Sequence, residues 1–405
     1  MEQLCVAQNR MNNIVLSSDI SRIPSKIAIG EDGFSKQTAD QWKTFIMIYA
    51  TTILWDMLNV SGRKILGHFV RACNLLVSRI VNKDELKEAY ERLKDMARII
   101  ESTYGPEFIT SNIHLALIFL IAVGIMRLNG YIGSYPNSNR QIEPELMKIF
   151  LKNALVDYHL TRNWTPGLLD NTLHLIKPKK AVGSLALTST IDNKELKYFL
   201  SHRHQISVAF KIYGTEPIPG RMLSPSYMGV IMPLELKKIL YEWYKILYKG
   251  KYKNIEEFMY PVINQHTKLQ IGDEIFGSMI SSYKNNSIIL AKWKAKEDKT
   301  SDIYLGEVQY YFEHTLRLPQ GPKTQLLAYI RWYKCASSSA TQFKYSFMNS
   351  KVSNTEIWKT EHYKEGYDSI LPVHRILCRA IKIKYHVGNS ENYISIVPLN
   401  RRFNF

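Results

Sequence analysis

At 405 residues, with 45% hydrophobic and 12% aromatic side chains, the chain has a globular composition that excludes a disordered polypeptide, and its length fits two or three domains better than one. A formal net charge of +17 and a pI near 9.4 point to an anionic partner, nucleic acid or an acidic membrane face, against the plainer reading of a basic but inert surface. Cys5, Cys73, Cys335 and Cys378 have neither zinc-finger nor disulfide spacing, as expected in a reduced compartment.

In chain order, residues 1–37 read as polar and irregular. From Thr38, which can cap a helix, the pattern becomes helical and aromatic-rich, from Trp42 to Leu58. A second helix places Ile65, Leu66, Phe69, Cys73, Leu76 and Ile80 on one face. A third does so with Leu86, Tyr90, Leu93, Met96, Ala97 and Ile100; Asp84 can cap it and Gly105-Pro106 ends it. Three such helices with short connections predict a small bundle. An apolar run follows at 115–126, shorter than the roughly 20 residues that span a bilayer. Beyond it come a loop at 129–140, a helix near 144–158, a mixed stretch over 161–265 and, within it, a strong helix at 233–249 opened by Pro233.

From Leu269 the texture changes to short runs of Ile, Val, Tyr and Trp between turn residues: 273–277, 287–293, 303–314, 326–333, 381–386 and 393–398. This spacing predicts a small antiparallel barrel or sandwich over 266–405. The expected fold is therefore α+β, an all-α region at 38–160 and a β-barrel-like domain, with a boundary near 260–268.

Motifs for enzymatic chemistry are absent: there is no phosphate loop, no dinucleotide fingerprint, no His-Glu-x-x-His and no nucleophile elbow. His202 and His204 with Asp157 and His159 make a poor metal group, because Arg203 between the histidines repels a cation. Glu143 and Glu145 flank Pro144 at a helix start, where acids complement the helix dipole. No catalytic residue, metal site or cofactor is expected. The candidate nucleic-acid residues are Lys237, Lys238, Lys245, Lys249, Lys251 and Lys253, interleaved with Tyr241, Trp243, Tyr244, Tyr248 and Tyr252. Lysines meet phosphates and aromatic faces stack on bases. An ordinary amphipathic helix would instead bury those aromatics and leave the lysines in water. Arg375, Arg379, Lys382 and Lys384, with Arg401 and Arg402, make the C-terminal part basic. Lys177-Pro178-Lys179-Lys180 has the form of a nuclear-import cluster.

Several segments together resemble the region that follows the catalytic domain in CACTA-type (En/Spm-type) transposases. They are Ser21-Arg22-Ile23-Pro24, Thr38-Ala39-Asp40-Gln41-Trp42-Lys43, Tyr104-Gly105-Pro106, Ser111-Asn112-Ile113-His114-Leu115, Arg127-Leu128-Asn129-Gly130 and Asn139 to Leu146. Gly306-Glu307-Val308, Tyr329 to Tyr333 and Ile370 to Val373 resemble the β-rich module often appended to these enzymes. The resemblance implies a transposable-element remnant. The family's RNase H-like catalytic domain lies mainly upstream of this region, and Met126 precedes Arg127 where the family carries a Glu-Arg pair. It thus implies a non-cleaving protein that binds DNA. From the sequence itself, the chain opens with no basic stretch followed by an apolar core, and its longest apolar run is too short to span a bilayer. No signal peptide or membrane segment is therefore expected, and the nucleus or cytoplasm is the expected location. The alternative is a chromatin or protein-interaction module built on the C-terminal barrel, and a further one an active nuclease completed by another polypeptide.

Overall fold

The computed structural model describes residues 2–12, 39–77, 83–110 and, with short interruptions, 214–399. The chain divides into two units, Met1–Ile118 with Lys194–Phe405, and Phe119–Asn193; every described residue belongs to the first. The apolar run, the loop at 129–140, the helix at 144–158, the histidine group, the 177–180 cluster and the motifs at 21–24, 127–130 and 139–146 lie outside the described residues.

Helices occupy the N-terminal part and a large antiparallel sheet the C-terminal part, an α+β arrangement. The helices are α1 (Glu2–Asn12), α2 (Ala39–Thr44), α3 (Thr51–Leu54), α4 (Val60–Leu76) and α5 (Lys83–Tyr104). A π-helical turn, Phe45–Ala50, joins α2 to α3, and Trp55–Met57 closes the run as a 3-10 turn. Asn59 caps α4, its Oδ1 accepting from the Gly62 amide at 2.8 Å. Gly105, at φ +109, ends α5, a conformation that a side chain would disfavour.

The helices make no separate bundle. Phe45, Ile48, Tyr49, Ala50 and Ile53 share a core with Ala7 and Met11 of α1 and with Ile381, Ile383, Val397 and Leu399 of the sheet. This partnership explains why 2–12 is helical where the polar sequence predicts irregular chain: Ala7 and Met11, four apart, find an apolar surface to cover. In α4 the predicted apolar stripe is only half-buried, whereas Gly67, His68 and Asn74 are buried. The reason is a close docking site. Phe347 stacks edge-on against His68 with ring centroids 5.1 Å apart, and Asn354 donates to the Gly67 carbonyl at 3.1 Å.

The sheet comprises β1 (Gly220–Ile231), β2 (Val262–Ile271), β3 (Glu274–Phe276), β4 (Ile288–Trp293), β5 (Asp302–Leu318), β6 (Gly321–Cys335), β7 (Glu356–His362), β8 (Ile370–Pro372), β9 (Ile376–Val387) and β10 (Glu391–Leu399). Its order is β1-β2-β5-β4-β9-β10-β7-β6-β8, with β3 on β2 and a further pairing of β5 with β6. The expected boundary at 260–268 falls inside β2, and β1, from the stretch expected to link two domains, is its hydrogen-bonded neighbour. The sheet continues there because Ile263, Leu269 and Ile271 of β2 are already core residues.

Helix α6 (Leu234–Leu247) matches the helix predicted from Pro233. Leu236, Leu240, Trp243 and Tyr244 form its buried stripe and pack on Phe312, Leu316, Leu327 and Ile370. A buried polar chain ties it to the sheet. His314 Nε2 lies 2.9 Å from the Tyr260 carbonyl, which can only accept, so Nε2 carries the proton. Nδ1 then accepts from the Tyr244 hydroxyl at 2.7 Å. The Tyr244 oxygen in turn accepts from Gln325 at 3.0 Å when the amide nitrogen faces it, an orientation that also satisfies the carbonyls of His314 and Lys323. Among the described residues no helix is long and apolar enough to cross a membrane.

Two outcomes are expected. A Cβ at Gly67 would collide with the Phe347 ring, so Gly67→Ala should destabilise by about 1–3 kcal/mol; in urea unfolding, adding Phe347→Ala should recover part of that loss. Burial pushes His314 down to about 4 from 6.5, against the Tyr260 hydrogen bond. The unfolded state therefore binds the extra proton between these values, and stability should fall as pH drops from 6.5 to 4, by roughly 3 kcal/mol. Denaturant unfolding of wild type and His314→Gln across that window checks it, the variant showing a flatter profile.

Candidate nucleic-acid interface

The structure treats the predicted basic residues unequally. In α6, Lys237 is held by Glu256 at 2.8 Å, while Lys238 is exposed. Lys245 is exposed with its amino group 5.8 Å from the Tyr241 ring centre, and Lys251 stands equally far over Tyr252. Lys249 and Lys253, like Arg401 and Arg402, lie outside the described residues.

The C-terminal set is dispersed. Lys384 is exposed. Lys382 Nζ donates to the Tyr333 hydroxyl at 3.1 Å and lies 3.6 Å from Glu307, so it closes a local network with that acid. Arg375 is half-buried, and burial lowers its pKa against the pull of Glu216. Arg379 departs from the surface role expected of it. It is 3% exposed and lies 3.7 Å from Glu274, itself 2% exposed. β9 runs between β4 and β10, and Cys378 and Ala380 beside Arg379 are core residues, so a phosphate cannot reach the guanidinium.

The aromatics of 237–254 follow the plain amphipathic pattern. Trp243 and Tyr244 are buried, and Tyr241, Tyr248 and Tyr252 are half-buried. Tyr248 and Tyr252 meet edge to face at 5.5 Å, and Tyr252 meets Phe258 at 5.8 Å.

What the sequence pattern misses is the hairpin that joins this stretch. β5 and β6 turn at Pro319-Gln320, with Leu318 opposite Gly321. The Tyr252 hydroxyl donates to Gln320 Oε1 at 3.0 Å, which fixes the segment after α6 against the hairpin tip. Arg317 stacks on Tyr260 at 4.2 Å and donates to its hydroxyl. Lys323 is exposed on the returning strand. Among the described residues, none of Lys245, Lys251, Arg317 and Lys323 is in an ion pair. The end of α6 and the hairpin tip thus form one basic rim. Arg317 and Lys323 could not be linked to it from the sequence, since they stand some 70 residues further on and only strand pairing brings them back.

Among the described residues no group of three or more His, Cys, Asp or Glu could hold a metal ion. Comparison of the chain with protein-family models, with curated proteins and with solved structures gives no match.

Glu274→Gln should destabilise the protein by roughly 3–5 kcal/mol, because it strips the counter-charge from a buried guanidinium. The double replacement Glu274→Met/Arg379→Met should recover most of the midpoint in urea.

Proposed function

We propose that this chain is a transposase-derived protein that binds DNA through the basic rim and does not cut it. The observation that carries the reading is the joining of the segment after α6 to the hairpin tip by Tyr252 and Gln320, which gathers Lys245, Lys251, Arg317 and Lys323 without an ion-pair partner among the described residues. The net charge of +17 supports it, since such a surplus raises the local concentration of a polyanion. The order of the transposase-like segments supports the origin, and Met126 in place of the expected acid supports the lack of cleavage. In the same reading β4, β5, β6, β7, β10 and β9 are a small barrel-like module, which their circuit of pairings favours.

A second reading, a chromatin or protein-docking role for the β part, is favoured by one grouping. Tyr310 and Tyr329 lie 5.4 Å apart, half-buried. The Tyr329 hydroxyl bonds Glu365, which pairs with Arg331 at 3.3 Å. Aromatic faces beside a carboxylate suit a cationic side chain.

The purified chain is expected to bind a duplex of about 20 base pairs with an affinity that falls by about 0.9 log unit per phosphate contact for each log unit of salt. Plasmid should stay intact with Mg²⁺ or Mn²⁺. Metal-dependent nicking abolished by an acid substitution contradicts the reading, and tight salt-insensitive binding of a basic peptide in place of DNA supports the second one.

A further inference from the structure

The geometry of the rim points to one class of nucleic acid: we infer that it grips the two phosphate backbones of a duplex and offers bases no stacking surface, so that it discriminates against single strands. This rests on the DNA-binding reading above and adds a substrate class to it.

Two independent observations converge. The first is the state of the aromatic rings. Single-strand binding draws its affinity from free aromatic faces on which unpaired bases stack. Here the rings are occupied. The Arg317 guanidinium covers the Tyr260 face at 4.2 Å. Tyr252 is wedged between Tyr248 and Phe258 and stands beneath Lys251. Tyr244 lies against Tyr248 with ring centres 6.3 Å apart, and Trp243 and Tyr244 are buried. To stack, a base would have to displace a cation that the phosphates need, or open the core.

The second is the placement of charge across the hairpin. The hydroxyls of Thr315 and Thr324 meet at 2.8 Å, so these residues share a face of the β5–β6 ribbon. Alternation along the strand puts Arg317, two residues on, on that same face. Lys323 pairs with Leu316 and belongs to the opposite face, with His314 and Gln325, on the side that α6 covers. The tip therefore sends cations out on both sides of a two-stranded ribbon, and Lys251 adds to the α6 side. A single strand presents one line of phosphates. A duplex groove presents two, with a polar ribbon between them a known fit to the roughly 12 Å major groove. Two-sided charge without stacking faces matches the second target and wastes half its cations on the first. The two tip groups able to read base edges are engaged within the protein, Gln320 Oε1 by the Tyr252 hydroxyl and the Arg317 guanidinium by Tyr260, so recognition goes to backbone and not to sequence.

The test uses the full chain and fluorescence anisotropy. Two labelled duplexes of unrelated sequence and a single-stranded thymidine oligomer of equal length are titrated at several salt concentrations. The duplexes should bind alike, within about threefold, and at least tenfold more tightly than the single strand. Arg317→Gln/Lys323→Gln, with an unchanged melting temperature, should lower duplex affinity and reduce the salt slope by about 1.8, two contacts at 0.9 each. Tyr260→Leu, which keeps the cation and removes the ring, should change single-strand affinity less than twofold. Equal or tighter single-strand binding, or a single-strand loss on Tyr260→Leu larger than the duplex loss on the double variant, overturns the inference while leaving DNA binding in place. No binding of either nucleic acid overturns the DNA-binding reading itself.

Discussion

Pairing between β5 and β6 is the constraint on which the remaining architecture depends. A strand running from Asp302 to Leu318 carries backbone donors and acceptors on both edges, and each must be satisfied once the strand is buried. β6 covers one edge from Gly306 to Leu318. The other edge is divided: β4 takes its first part and β2 a short stretch near Phe312. This division draws β9 and β10 in behind β4, and β1 in behind β2. α6 then closes over the far half of the ribbon, where Phe312, Leu316 and Leu327 need a cover. The polar chain of Tyr244, His314 and Gln325 fixes that cover in one orientation, because each member has a defined donor or acceptor role and no apolar slide of the helix preserves all of them.

Charge is sorted by the same architecture. A protein with a surplus of +17 gains nothing by burying cations, and the ones drawn inward carry a compensating acid: Arg379 with Glu274, Arg375 beside Glu216. Each inward pair is neutral, so the excess is displaced to the surface, where the rim at the hairpin tip holds part of it. The acid partners set which basic residues are available to a ligand, and that assignment depends on the fold more than on local composition.

The strands with dense Ile, Val, Tyr and Trp were legible from sequence, and β4, β5, β6, β9 and β10 coincide with the runs at 287–293, 303–314, 326–333, 381–386 and 393–398. β1 was not, because Gly220, Ser224, Pro225, Ser226 and Gly229 break its pattern and its outward residues face solvent at an edge. β7 and β8 are short and depend on their neighbours for their form, β7 on β10 and β6 and β8 on β6. The interface was legible by half. Lys245 and Lys251 stand out as a helical charge pattern, whereas Arg317 and Lys323 sit in a strand whose apolar neighbours dominate the reading. Arg379 misled for the opposite reason: a cation among basic neighbours reads as surface, and only the acid of β3, more than a hundred residues earlier, reveals the burial.

The shared core of α1 with β9 and β10 has a consequence for how the chain is made. Met11 and Ala7 are completed by Val397 and Leu399, so α1 leaves the ribosome long before its partner, which follows only after the intervening stretch, residues 13–390, has been made. At the usual pace of synthesis the interval is on the order of 20–80 s. Throughout it the apolar faces of α1 and of the run from Phe45 to Ile53 have no sheet to cover. α1 and the run from Phe45 to Ile53 thus depend on protection during translation, and their maturation is timed by the arrival of β9 and β10.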